Sequence, residues 1–154
     1  MADVNTQSGF KQLETTLNEY FGKKAPALPA GLKEIIVKVA PWLTVIGILF
    51  AIPALLALLG LGGLVGVLSP LGGLEGIHAG VSYTIGLLLL VAAVILEGLA
   101  IPGLFARSKK GWTYIFYSQL VSAVSSLLTG GIIGAVIGLI IGLYLIFQVR
   151  EYYK

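Results

Sequence analysis

Gly130-Gly131-Ile132-Ile133-Gly134-Ala135-Val136-Ile137-Gly138-Leu139-Ile140-Ile141-Gly142 carries glycine at 130, 134, 138 and 142, every fourth residue of an otherwise Ile/Leu/Val segment. Residues four apart lie on one helical face. In a water-soluble helix each such glycine costs ~1 kcal/mol relative to alanine, so the register needs a packing reason. Within a membrane, close approach of a second helix supplies one, and a four-residue period favours right-handed crossings near about −40°. Only Thr129-Gly130-Gly131 separates this segment from the preceding apolar run, 112–128, so the two are expected to form an antiparallel hairpin.

The rest of the chain has the same solvent preference. Of its 154 residues, 57% are hydrophobic and 11% charged, and the mean hydropathy is +0.97. Soluble domains carry roughly 25% charged residues. An all-α, polytopic integral membrane protein is expected, with four transmembrane helices over 39–61, 81–106, 112–128 and 132–149. Each span comes near the ~20 residues that the bilayer core requires. Pro53 should kink the first, since it cannot donate to the carbonyl of Leu49. Residues 1–38 are too polar for a cleavable signal peptide. The absence of cysteine excludes a disulfide framework, thiolate metal sites and a cysteine nucleophile.

Ahead of the 32–154 membrane domain, residues 1–21 read as an N-terminal amphipathic helix. Phe10, Leu13, Leu17, Tyr20 and Phe21 share one face, with Ser8 as start cap and Gly22 as end. Surface-lying membrane helices usually carry a basic polar face. Here Asp3, Glu14 and Glu19 oppose Lys11 alone, so Phe10, Leu13, Leu17 and Tyr20 are expected to engage a cytoplasmic protein. Residues 22–31, with Pro26 and Pro29, read as a Pro/Lys linker. Residues 61–80 hold glycine at 62, 63, 66, 72, 73, 76 and 80 and no Lys or Arg. They are expected to form two short apolar helical pieces at the membrane surface or dipping into it, with Ser69 as N-cap and Pro70 at N1 of the second.

Every Lys and Arg falls on one side of this arrangement: Lys11, Lys23, Lys24, Lys33 and Lys38 before the first span, Arg107, Lys109 and Lys110 between the second and third, Arg150 and Lys154 after the fourth. By the positive-inside rule both termini are cytoplasmic and the plasma (inner) membrane is the expected location. Trp42, Phe105, Trp112, Tyr114, Tyr117, Phe147, Tyr152 and Tyr153 gather toward the same side, and Tyr83 is the expected outer anchor.

Glu97 is the one ionisable residue well inside a span. A charge there costs about 3 kcal/mol or more, and Pro102 frees the carbonyl of Gly98 beside it. Three readings stand open: a carboxyl hydrogen-bonded to the serines of the third span, a proton or cation site, or a contact for a polar partner. Ser118, Ser122, Ser125 and Thr129 supply hydroxyls along one face of that span, either for helix packing or for a water path. Glu75 and His78 have an i, i+3 metal-ligand spacing in a single copy, without a second set. The glycine runs lack the following Lys-Ser/Thr of a phosphate loop. No nucleophile, base and oxyanion constellation occurs, and nothing suggests nucleic-acid binding. In size class the chain resembles the small multidrug resistance transporters, which also combine four short spans with a membrane Glu. That family places its Glu in the first span, whereas Glu97 lies in the second, and no residue role carries over.

The sequence thus leads to a non-enzymatic membrane subunit, without cofactor or metal, whose partners are the lipid bilayer and further copies of itself. The alternative is a small proton- or cation-linked channel or transporter working through Glu97.

Overall fold

The computed structural model describes residues 2–129 and 131–154, with the backbone alone for residues 2–8 and Gly66. It is all-helical, with no strand among the described residues. Helix α1 (Ala2–Leu17) runs directly into a π-helical turn, Asn18–Lys24. After the extended Ala25 to Pro29 come α2 (Ala30–Leu68), a 3-10 turn (Ser69–Gly72), α3 (Gly73–Phe105), α4 (Lys109–Leu128), α5 (Ile132–Gln148) and a closing 3-10 turn, Arg150–Tyr152. The N-terminal helical stretch therefore passes the expected stop at Gly22. The helix also begins at Ala2, so Ser8 lies inside it and does not cap its start as expected, and Gly130 falls outside the described residues.

The largest departure from expectation concerns residues 61–80. They are not separate surface pieces but the continuation of α2 and the beginning of α3. At 1.5 Å per residue, the 39-residue α2 is ~58 Å long and the 33-residue α3 ~50 Å. Ser69 caps no new helix. It closes α2, and the chain turns back sharply through Gly73 at φ 64°, a left-handed conformation suited to glycine. The returning helix then presents Gly76 and Gly80 to Ser69. A Cβ on Gly80 would fall 2.7 Å from Ser69 Oγ, and one on Gly76 would collide with the Ser69 carbonyl oxygen. This glycine density does not break the helix; it lets the two long helices close on each other. Pro41 and Pro53 both lie inside α2, which continues through them.

Helices α2 and α3 are long and apolar enough to cross a membrane, and α5 is a shorter apolar helix. Helix α4 carries more polar side chains and supplies the centre. Its Trp112 and Phe116 join Val37, Ala100, Leu104, Leu143, Phe147, Val149 and Tyr153 in one core, with Leu17 and Phe21 packed against it. Trp112 stacks on Phe116 at 5.5 Å and meets Phe147 edge-on at 5.3 Å, while its indole N–H donates to the Ile146 carbonyl at 2.9 Å. The core sits at the end of the bundle where the basic residues gather.

Helices α3 and α4 cross closest at Gly103 and Gly111. A Cβ on Gly103 would lie 2.6 Å from the Gly111 Cα, so neither position admits a side chain without moving backbone. The turn between them is closed by the Ser108 N–H donating to Gly103 at 2.8 Å and by Ser108 Oγ accepting from the Gly111 N–H at 3.3 Å. Further along, Gly86 receives Ser125 of α4 and Thr129 just beyond its end. Beyond this level α2 and α3 continue alone, about 20 Å further by the rise of the 13 residues from Gly86 back to Gly73.

Candidate functional site

Glu97 projects from the C-terminal third of α3 and is half-buried. Ser118 Oγ on α4 donates to Glu97 Oε1 at 2.9 Å, and Ser118 is 2% exposed. The carboxyl borders a fissure of about 680 Å³ that separates α2 from α5. Its walls are Val39, Leu43 and Gly47 on one side and Leu145, Ile146 and Val149 on the other, with Glu97, Trp112 and Gln119 as the floor. Gln119 Nε2 donates to the Gly138 carbonyl at 3.0 Å, and Gly142 leaves the room that its amide occupies. The lining is apolar apart from Glu97, Gln119, Thr44 and the Tyr153 hydroxyl.

The hydroxyl face of α4 acts mainly as a seam to α3. Ser125 Oγ donates to the Gly86 carbonyl at 2.6 Å and is buried, whereas Thr129 Oγ1 returns to the Ser125 carbonyl of its own helix at 3.1 Å. Ser122 is half-buried between these levels. Ser118 and Ser125 are thus committed to helix packing, the first of them at Glu97.

The small-residue ridge divides. Gly142 packs inside the protomer against Gln119, but a Cβ on Gly134 or Gly138 would meet nothing within 4 Å. Ile133, Ile137, Ile140 and Ile141 beside them are exposed. Helix α4 thus meets the ridge through Gln119, at Gly142 and at the Gly138 carbonyl, and leaves Gly134 uncovered. The α4–α5 contact runs through Gln119 and the aromatic core, leaving Gly134 and Gly138 outward.

At the basic end, α1 docks on its own chain. Glu14 pairs with Arg150 and with Lys109, the latter at 3.3 Å. Burial pushes the Glu14 carboxyl up, but hydrogen bonds and attraction from Arg150 and Lys109 outweigh it and hold the group below the usual carboxylate range. The same two cations lie over Trp112, with Lys109 Nζ 4.2 Å from the ring centre. Phe10 meets Tyr117 edge-on at 5.7 Å, and Leu17 reaches the core, while Leu13 and Tyr20 stay largely exposed.

Sequence reading missed Gln148. It is 2% exposed, accepts the Leu28 N–H at 3.1 Å and donates to the Phe21 carbonyl at 2.8 Å. Tyr144 O–H donates to the Pro26 carbonyl at 2.7 Å, and Lys33 pairs with Glu151 at 2.9 Å. These contacts hold the 25–29 segment against α5. The one available signal was a lone amide at the end of an apolar helix.

Glu75 and His78 lie in the first turns of α3, far from Glu97, and no metal-sized group of acidic, His or Cys side chains occurs among the described residues. No family model, curated protein or solved structure matches the chain.

Proposed function

We propose that this chain is a non-enzymatic integral membrane subunit, with four spans and both termini in the cytoplasm, that self-associates through the outward face of α5. The observation that carries this reading is the contrast among its glycines. Gly86, Gly103, Gly111 and Gly142 are each filled by a neighbouring segment; Gly47, Gly60, Gly63 and Gly98 are open, and so are Gly134 and Gly138, which repeat four residues apart on α5 and leave grooves between exposed isoleucines. Helices in lipid associate by van der Waals packing where backbones can approach closely, and such grooves are the means. In this reading α4 and α5, about 30 and 26 Å long, complete the crossing that α2 and α3 begin. The inner membrane is the location that the one-sided basic residues favour. The amphipathic α1, exposed at Phe10, Leu13 and Tyr20, offers a face to a cytoplasmic protein.

The test is the particle mass in mild detergent, by native mass spectrometry, for the wild type, Gly138→Leu and Glu97→Gln. Loss of the assembly in Gly138→Leu and its retention in Glu97→Gln are expected. An unchanged particle after Gly138→Leu counts against the reading.

The fissure favours a second reading, since it brings a membrane carboxyl to a laterally open cleft. As a small proton- or cation-linked channel or transporter, the protein would support flux in reconstituted vesicles that disappears in Glu97→Gln. Equal flux in the variant would sink this alternative.

A further inference from the structure

Two cavities of opposite character share Tyr153 as a wall. One is the apolar fissure between α2 and α5. From Ile35 to Gly47 it extends ~18 Å along α2, from the basic end to the level of Glu97. The other is a cleft of about 400 Å³ between the π-helical turn, the start of α2, and the facing ends of α4 and α5. Its walls carry Lys23, Lys33, Lys109 and Arg150 against Glu151. Glu14, bonded to Lys109 and Arg150, and Glu151, bonded to Lys33, leave four cations facing two carboxylates. Among the described residues Lys23 has no ion pair, and the buried Nε of Arg150 has no acceptor.

We infer that these cavities together bind one anionic phospholipid of the leaflet at the basic end, its phosphate in the cationic cleft and an acyl chain in the fissure. The inference rests on the membrane reading above. Charge complementarity selects the headgroup: the cleft has cations in excess, and Lys23 on its wall has no ion pair among the described residues. The fissure selects lipid over a free anion, because inorganic phosphate would leave its apolar walls uncovered. Tyr153, 5% exposed, forms the threshold between the headgroup and chain compartments.

The experiment uses the full chain in mild detergent, with native mass spectrometry reading bound lipid during titration with phosphatidylglycerol or phosphatidylcholine. One phosphatidylglycerol per protomer should be retained in preference to phosphatidylcholine. Lys23→Gln/Lys33→Gln should weaken it about fivefold for each base removed. Gly47→Leu, where a Cβ meets nothing within 4 Å, fills the fissure and should weaken both the acyl contact and retention, with unchanged helical circular dichroism. Equal retention of the two lipids, or affinity unaltered in both variants, overturns the inference. Displacement of the lipid by millimolar inorganic phosphate would reduce the site to an ion site and also overturn it. A change in protomer number in Gly47→Leu without a change in lipid would assign the fissure to a second copy instead. If the chain stays monodisperse without detergent, the membrane reading itself has failed, an outcome distinct from loss of lipid selectivity in a detergent-dependent protein.

Discussion

Adding one methyl group to a glycine should have opposite consequences at Gly111 and Gly138. At Gly111 the new Cβ would press on the Gly103 backbone and lie 2.5 Å from the Leu104 nitrogen. Unstrained carbon contacts need about 3.5–4.0 Å, so α3 and α4 must part by an ångström or more. The turn resists this. Besides its Ser108 bonds, Lys109 N–H donates to the Lys154 carbonyl at 2.8 Å and Lys154 N–H to the Arg107 carbonyl at 3.0 Å, tying the turn to the C-terminal residues. Overpacking of this kind costs about 1–3 kcal/mol, offset by at most ~1 kcal/mol from replacing glycine in a helix. At Gly138 only the second effect operates, and Gly138→Ala should stabilise the isolated protomer by about 0.5–1 kcal/mol. The helix gain is common to both variants and cancels, so they should differ by the overpacking term, roughly 1–3 kcal/mol. Unfolding by SDS in mixed micelles, at dilutions that separate protomers, with far-UV circular dichroism and Trp112 emission as probes, measures this difference. Equal stabilities, or a larger loss at Gly138 than at Gly111, would refute the assignment of one glycine to an internal crossing and the other to open surface.

Gln148→Leu removes partners from the Leu28 N–H and the Phe21 carbonyl and should cost about 1–3 kcal/mol per orphaned buried group, read as earlier unfolding and faster proteolysis at residues 25–29. Ser118→Ala should cost only about 0.6 kcal/mol, the usual worth of a hydrogen bond between membrane helices. A loss above 2 kcal/mol would mean that Glu97 relies on that hydroxyl far more than a packing bond implies. Because the Glu14 carboxyl is held below its ordinary value of 4.5, its contribution to α1 docking is present above that value and lost as pH falls through the lowered one. In a Trp42→Phe background the emission of Trp112, sensitive to the Lys109 and Arg150 pair above it, should shift on acidification, and Glu14→Gln should show the shifted emission already at neutral pH with no further acid change.

Apolar periodicity made the helices legible, and the one-sided bases anticipated the end at which Glu14, Lys33, Lys109, Arg150 and Glu151 meet. The serine face of α4 pointed toward Glu97, and Ser118 reaches it. Residues 61–80 misled because glycine is ambiguous on its face: it marks a break in one context and a close crossing in another. Only the return of Gly76 and Gly80 onto Ser69 decides between them. The Gly103–Gly111 crossing was hidden for a related reason. Gly111 is the only glycine of α4 and Gly103 has no glycine three or four residues away, so the pair exists only once the turn at Ser108 has folded. Gln148 bonds across more than a hundred residues, a separation that local pattern cannot register.

Four crossings with the basic end inside would put the 61–80 and 129–131 connections on the opposite side of the membrane from the termini. Because the chain has no cysteine, single replacements Glu75→Cys, Thr129→Cys, Lys110→Cys and Lys154→Cys can be probed with an impermeant maleimide on intact and permeabilised cells. Glu75→Cys and Thr129→Cys should label from outside, and Lys110→Cys and Lys154→Cys only after permeabilisation. Labelling of Thr129→Cys from the same side as Lys110→Cys would leave two crossings, those of α2 and α3, and contradict the four-span account.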